Sequence, residues 1–386
     1  MRGITPMALF LLVAVTSVET RSCSGDTAEI PAPPAAGSEP GQLFTTEDGV
    51  RFRVETVVSS LEIPWALVFA PDGRLFVTER PGRVRIIDIA RRTSTLALTT
   101  EDVFAQGEAG LLGLALDPAF TSNGLVYVYS TVRSPSGGAS NRVSRYRESS
   151  GRLVEQVVLL DNIPANVIHD GGRLRFGPDG LLYVTTGDAA SEQRAQDLAS
   201  FAGKILRINA DGTTPRGNPF SSPIYSYGHR NPQGLDWHPA SGDLWASEHG
   251  ANGNDEINVL DNGANYGWPR IEGNQAMTGM RGPITFYNPA IAPSGASFYR
   301  GARFAQFTND LFVGTLRGSH LLRLRIDPAS PRRIVGQERL LEGQFGRIRD
   351  VVVGLDGYIY FCTNNRDGRG NPLADDDRIA RLVPAS

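Results

Sequence analysis

Residues 177–188 read GPDGLLYVTTGD: a Pro-Asp-Gly turn, a run of alternating apolar residues, then a second Gly-Asp loop. Proline presets φ, aspartate can hydrogen-bond its own backbone two residues on, and glycine accepts a left-handed φ, so the start is a chain reversal into a strand. The pattern recurs in APDGRLFVTER (70–80), FTSNGLVYVYSTV (120–132), PASGDLWASEHG (239–250), FTNDLFVGTLRG (307–318) and GLDGYIYFCTNN (354–365). Copies begin roughly 45–70 residues apart, the period of a unit with several strands. Six copies predict an all-β fold, a six-bladed β-propeller, with a parallel β-helix or two sandwiches as the rival. The strand after each turn is expected to be an inner one whose far end opens onto a shared mouth. The loops that follow carry TERPGR, TTGDAA, SEHGANGNDE, TLRGSH and TNNRDG, polar residues gathered where a site would form.

The bulk composition fits this reading. The chain has 386 residues, 40% hydrophobic and 20% charged, with 43 glycines, 25 prolines and a net charge of −3. No basic excess points to nucleic acid. Lys204 is the sole lysine, so nearly every positive side chain is a guanidinium. At the N-terminus Arg2 precedes the apolar run MALFLLVAVTSV, long enough for a signal-peptide core and too short for a transmembrane span. Residues 1–22 are therefore read as a signal peptide directing export to the periplasm or cell envelope. Residues 23–47, rich in Pro, Ala and Gly, read as a flexible tether, and 48–386 as the propeller. Cys23 raises lipid attachment, although Arg21 is a poor residue before such a site. Cys362, the other cysteine, lies in a strand-like run and reads as a small buried residue, with no disulfide framework implied.

Four segments carry candidate chemistry. His169 stands in a loop ahead of a strand, as a base, a ligand or a surface histidine. SYGHRNPQGL (226–235) presents His229, Arg230 and Asn231 before a turn. SEHGANGNDEINVLDNGANYGWP (247–269) is rich in carboxylates, amides and glycines, which suits calcium or a network of Asx turns. FGRIRD (345–350) sets Arg347 and Arg349 two apart, so on a strand they would share a face and converge on an anion, or else on solvent with Asp350 as counter-charge. Arg317 would be a further cation at the same mouth. There is no GxSxG, Walker loop, HExxH or CxxC. An anionic organic cofactor fits this set better than hydrolysis by a protein nucleophile.

Taken with GEAGLLGLALDP (107–118), AGKILRIN (202–209) and NDEINVLDNGANYGWP (254–269), these segments resemble, in the same order, the soluble pyrroloquinoline-quinone (PQQ)-dependent aldose sugar dehydrogenases of the glucose/sorbosone dehydrogenase family. The resemblance runs from about residue 50 to the C-terminus and implies a six-bladed propeller with PQQ and Ca2+ at its mouth, oxidising aldoses at C1 to lactones. It implies that His169 is the general base. Glu108, Arg230, Asn231, Arg317, Arg347 and Arg349 match cofactor-binding positions. Gly250 and Ala251 match carbonyl ligands of the PQQ-bound calcium, and Glu256 and Tyr266 a separate calcium site. It further implies a sugar substrate, an electron acceptor of unknown identity and a monomer or weak homodimer. Glu108 stands where the family commonly has Gln, Ile168 where the glucose-specific branch has an Asp to orient the base, and Arg317 where that branch has Lys. The broad-specificity aldose branch is the match. A propeller that has lost its cofactor and a calcium-dependent lactonase-type hydrolase are the alternatives.

Overall fold

The structure, a computed structural model, describes residues 1, 27–29, 42–134 and 137–385. The proposed signal segment and most of the tether lie outside the described residues, as does Cys23. Six antiparallel sheets make six blades; each runs outward in chain order from an innermost first strand, except that N-terminal strands complete the outer edges of two of them. The first strands are Pro64–Phe69, Leu111–Leu116, Leu174–Phe176, Pro232–Trp237, Pro293–Phe298 and Ile348–Val353. Each touches the first strand of the next blade, and the sixth touches the first, so the ring closes. We number the blades in this order.

The strand after each turn lies second from the axis: Leu75–Glu79, Leu125–Arg133, Leu182–Thr186, Leu244–Glu248, Leu311–Thr315 and Ile359–Thr363. In blades 1, 3, 4, 5 and 6 every residue of this strand is buried, because the blades pack against both of its faces. The turn geometry explains the recurring aspartate. In blades 3 and 6 Asp179 and Asp356 each accept a backbone N–H two residues on, and each also accepts the hydroxyl of a tyrosine on the following strand, Tyr183 and Tyr360.

The innermost strand precedes the turn. Its residues crowd the axis, and two glycines make this possible. A Cβ on Gly113 would collide with the carbonyl oxygen of Gly172 on the next blade, and one on Gly295 with the Asp350 carboxylate. The outermost strands alternate, as in Ser330–Leu340, whose outward residues meet solvent. Blade 6 joins both chain ends: Ile379–Pro384 pairs with Arg51–Val58, which pairs with Phe44–Thr45. Arg323, almost wholly buried, fixes this N-terminal segment by gripping Asp48 through both carboxylate oxygens at 2.8 Å.

Across the axis a polar cluster links residues of four blades. Arg173 pairs with Asp350 at 3.0 Å, donates to the Gln233 carbonyl and lies 4.4 Å over the Trp65 ring. A cavity of about 1060 Å³ lies on the turn side of this cluster, lined by turn residues such as Pro71, Pro178 and Leu355. The candidate chemistry sits on the other side. Cys362 is fully buried. Among the described residues no helix is long and apolar enough to cross a membrane.

Candidate active site at the loop mouth

Two kinds of loop meet at the mouth: those leading into the innermost strands and those leaving the second strands. They are neighbours within each blade because the two strands are antiparallel. His169 precedes the first strand of blade 3, and Asp188 follows its second strand. His169 Nδ1 lies 2.8 Å from Asp188 Oδ1. Asp188 is fully buried, and its other oxygen accepts the Trp268 indole N–H at 2.9 Å. A carboxylate so placed accepts a hydrogen bond from Nδ1–H, keeping the proton on that nitrogen and leaving Nε2 as the acceptor. The His169 side chain is 13% exposed, enough to meet a substrate at the mouth. Its φ of 63° is left-handed, a conformation a residue with a Cβ seldom adopts.

Glu108 enters from blade 2. Its Oε2 accepts the His169 backbone N–H at 3.1 Å and the Asn231 side-chain amide at 3.2 Å, and its Oε1 pairs with Arg369 at 2.9 Å. Burial by itself would raise the Glu108 pKa, but His249, the His169 N–H and Arg369 outweigh it and hold the group at about 2. Glu108 is thus ionised and matched by an arginine. Asp170, next to His169, has the opposite fate: burial pushes it up to about 7, with one oxygen on Asn141 and Asn166 and the other unpartnered.

Blade 4 contributes Arg230 and Asn231. Asn231 is wholly buried and its side-chain oxygen accepts the Gly171 N–H at 3.0 Å, so both ends of its amide are committed. Arg230 donates to the His249 carbonyl at 3.2 Å and lies 5.4 Å over the Trp268 ring, while its Nε is buried without a partner. Arg347 and Arg349 do not aim at one partner. A register shift at the start of their strand separates them: Arg347 pairs with Asp367 at 2.8 Å, and Arg349 donates to Gln233 at 2.7 Å, deeper in the axis. Asp350 serves Arg173 instead of either. Burial lowers Arg349 to about 10, with Arg347 adding to the effect and Asp367 opposing it. Arg317 is exposed and shares a cavity of about 400 Å³ with Arg347 and Arg369.

Among the described residues, Arg80, Arg230, Arg317 and Arg349 have no carboxylate partner, and the Nε atoms of Arg80, Arg230 and Arg349 are buried and unanswered. Guanidiniums outnumber carboxylates here, which fits an organic polyanion. Arg80, Arg369 and Asp188 were not singled out from sequence. The TERPGR and TTGDAA loops that hold Arg80 and Asp188 were, as was TNNRDG, which Arg369 directly follows, but neither arginine nor aspartate is distinctive there.

Beside the mouth, Gly250, Glu256 and Tyr266 line a pocket of about 10 Å³ together with Glu248 and Glu272. Burial raises the Glu256 pKa and the neighbouring Glu248 adds to this, while Glu272 keeps one buried oxygen without a partner. A hard cation would relieve both. The Tyr266 hydroxyl is committed to the Val259 carbonyl at 2.7 Å, so a cation here would use its backbone carbonyl. Ala251 follows Gly250 on the same loop. Burial lowers the His249 pKa to about 4, with Asp255 and Glu108 opposing and Arg349 and Arg230 adding to the effect, and its Nε2 has no partner.

Residues 61–374 match the glucose/sorbosone dehydrogenase family model. The chain belongs to the glucose/sorbosone dehydrogenase family. That makes it an oxidoreductase. It is similar to the aldose sugar dehydrogenase YliI of Escherichia coli, at 31% identity over 82% of this chain and 91% of that one. It is also similar to quinoprotein glucose dehydrogenase B of Acinetobacter calcoaceticus, at 28% identity over 88% of this chain and 90% of that one. The PQQ-bound aldose sugar dehydrogenase of Streptomyces coelicolor superposes with a TM-score of 0.78, at 36% identity, covering 86% of this chain and 98% of that one.

Proposed function

We propose that this family member oxidises aldose sugars at C1 to lactones, using PQQ and calcium, with His169 as general base and broad sugar specificity. The observation that carries the reading is the His169–Asp188 pair standing beside Arg230, Arg317 and Arg349, which have no carboxylate partner among the described residues. The tricarboxylate PQQ fits such a mouth: these three, with the Asp367-paired Arg347, would hold its carboxylates and reactive edge. Asn231, with its amide committed, would shape the wall beside it. The carbonyls of Gly250 and Ala251 would hold one calcium, and Glu256 with the Tyr266 carbonyl a second. Bound PQQ supplies the hydride acceptor, and calcium polarises its carbonyl.

The protein's own chemistry is proton handling. Nε2 of His169 takes the proton of the C1 hydroxyl, which eases departure of hydride from C1. Asp188 keeps the ring in the tautomer that can do so and stabilises the imidazolium that forms. Glu108 would repel an anionic cofactor if its charge were unmatched, and its pairing with Arg369 supports the cofactor-bound reading over a propeller without one. The basic and apolar N-terminus supports export to the periplasm. The test is product analysis: purified protein given PQQ, calcium, an oxidising dye and glucose should yield the lactone and its hydrolysis product. Unchanged glucose at saturating PQQ would reject the reading.

A further inference from the structure

Glu108 does more than avoid a charge clash. Its two oxygens divide their work: one accepts Arg369 of blade 6, the other accepts the His169 main chain of blade 3 and the Asn231 amide of blade 4. A single side chain from blade 2 therefore ties three other blades together at the mouth. The His169 main chain needs such a tie, because its left-handed φ is costly for a residue with a Cβ. Two further bonds brace the same backbone, from Glu108 N to the Val167 carbonyl at 2.7 Å and from Ala189 N to the His169 carbonyl at 3.1 Å. Among the described residues the Glu108 carboxylate is the only acceptor of the His169 N–H. Glutamine, with one acceptor oxygen, could not answer both Arg369 and the pair of N–H donors.

We propose that Glu108, clamped by Arg369, is a positioning residue: it fixes the His169 main chain, and so holds the ring on Asp188 where proton transfer can occur. This rests on His169 being the base, so the experiment has one arm that needs no turnover.

With five histidines in the chain, selective 15N-histidine labelling reduces the amide spectrum to a few signals. Exchange of the His169 amide is followed in the apoprotein for wild type, Glu108→Gln, Glu108→Ala, Arg369→Ala and Arg369→Lys. We expect about tenfold faster exchange in Glu108→Ala, a smaller rise in Glu108→Gln and Arg369→Ala, and near wild-type exchange in Arg369→Lys. With PQQ and calcium bound, Glu108→Gln should lower kcat about tenfold and leave the sugar KM within about twofold. The swapped pair Glu108→Arg with Arg369→Glu should not recover, because arginine cannot accept the His169 N–H. Unchanged His169 exchange in both Glu108 variants would overturn the proposal. So would faster exchange with unaltered kcat, which would make Glu108 a brace and nothing more. A wild-type protein without turnover would reject the functional reading instead, and the exchange arm would still decide whether Glu108 holds His169.

Discussion

His169 Nδ1 and Asp188 Oδ1 lie 2.8 Å apart, one before the first strand of blade 3 and the other after its second. Blade 4 repeats the relation: His229 Nδ1 lies 2.9 Å from Glu248, and in both pairs the partners are 19 residues apart. The two histidines differ in what surrounds the ring. His229 is wholly buried, bonded to Ser226 and stacked on Tyr266 at 4.9 Å, so both of its nitrogens are committed. His169 keeps Nε2 for a substrate. Replacing His169 by Ala should lower kcat by about 10²–10⁴-fold with PQQ affinity little changed. Titration of the apoprotein with PQQ, followed by turnover, checks both halves. Near-normal turnover in the loaded variant would exclude His169 as the base.

Asp188→Asn keeps the shape and an oxygen for the Trp268 N–H but removes the charge that fixes the His169 tautomer. A loss of about 10–100-fold in kcat, with sugar KM nearly constant, is the expected result. Steady-state kinetics on PQQ-saturated protein measures it. A variant altered only in KM would contradict the assigned role.

Turns were the legible part of this fold. Proline, aspartate and glycine at fixed places act locally, so each of the six reversals could be read from its own residues. The innermost strands could not. LRF (174–176) is short, and PSGASF (293–298) lacks apolar alternation, because small residues are demanded by the crowded axis and not by a strand's own pattern. His169 was legible as a candidate through resemblance. Its orienting carboxylate was not, since it is absent from the neighbouring position, Ile168, and antiparallel pairing instead brings Asp188 from the far end of the hairpin. The Glu108–Arg369 pair spans 261 residues, and only ring closure makes it possible.

Lys204, the sole lysine, gives a stability prediction. It is wholly buried, and its ammonium donates to the carbonyls of Arg194, Ala195 and Ala202 at 2.7–3.0 Å. Burial lowers its pKa from 10.5 to about 7. A lysine depressed on folding binds fewer protons in the native state than in the unfolded one, so stability rises with pH across that interval. Lys204→Met should cost about 2–4 kcal/mol by stranding three carbonyls, and should flatten the rise between pH 7 and 9. Urea unfolding of both proteins at several pH values tests this. Parallel pH profiles would refute it.

Arg323 of blade 5 holds the N-terminal segment that completes blade 6. It meets Asp48, Asp310 and Glu338 while 1% exposed, and it holds the Asp48 carboxyl well below the usual carboxylate range. Arg323→Ala leaves the buried Asp310 carboxylate unpaired and releases Asp48, and a loss of about 3 kcal/mol is expected in chemical denaturation. Asp48 itself contributes stability above its unfolded pKa of 3.8, lost as pH falls below it. A variant as stable as wild type near neutrality would show that the N-terminal segment does not depend on this contact.

The central claim is that the guanidinium-lined mouth, loaded with PQQ and calcium, oxidises sugars. The measurement is reduction of an artificial dye by metal-stripped protein supplied with PQQ alone, calcium alone or both, and then with glucose, galactose or a disaccharide. The account predicts reduction only when both are present, with several aldoses accepted. No dye reduction by folded protein at saturating PQQ and calcium would contradict it.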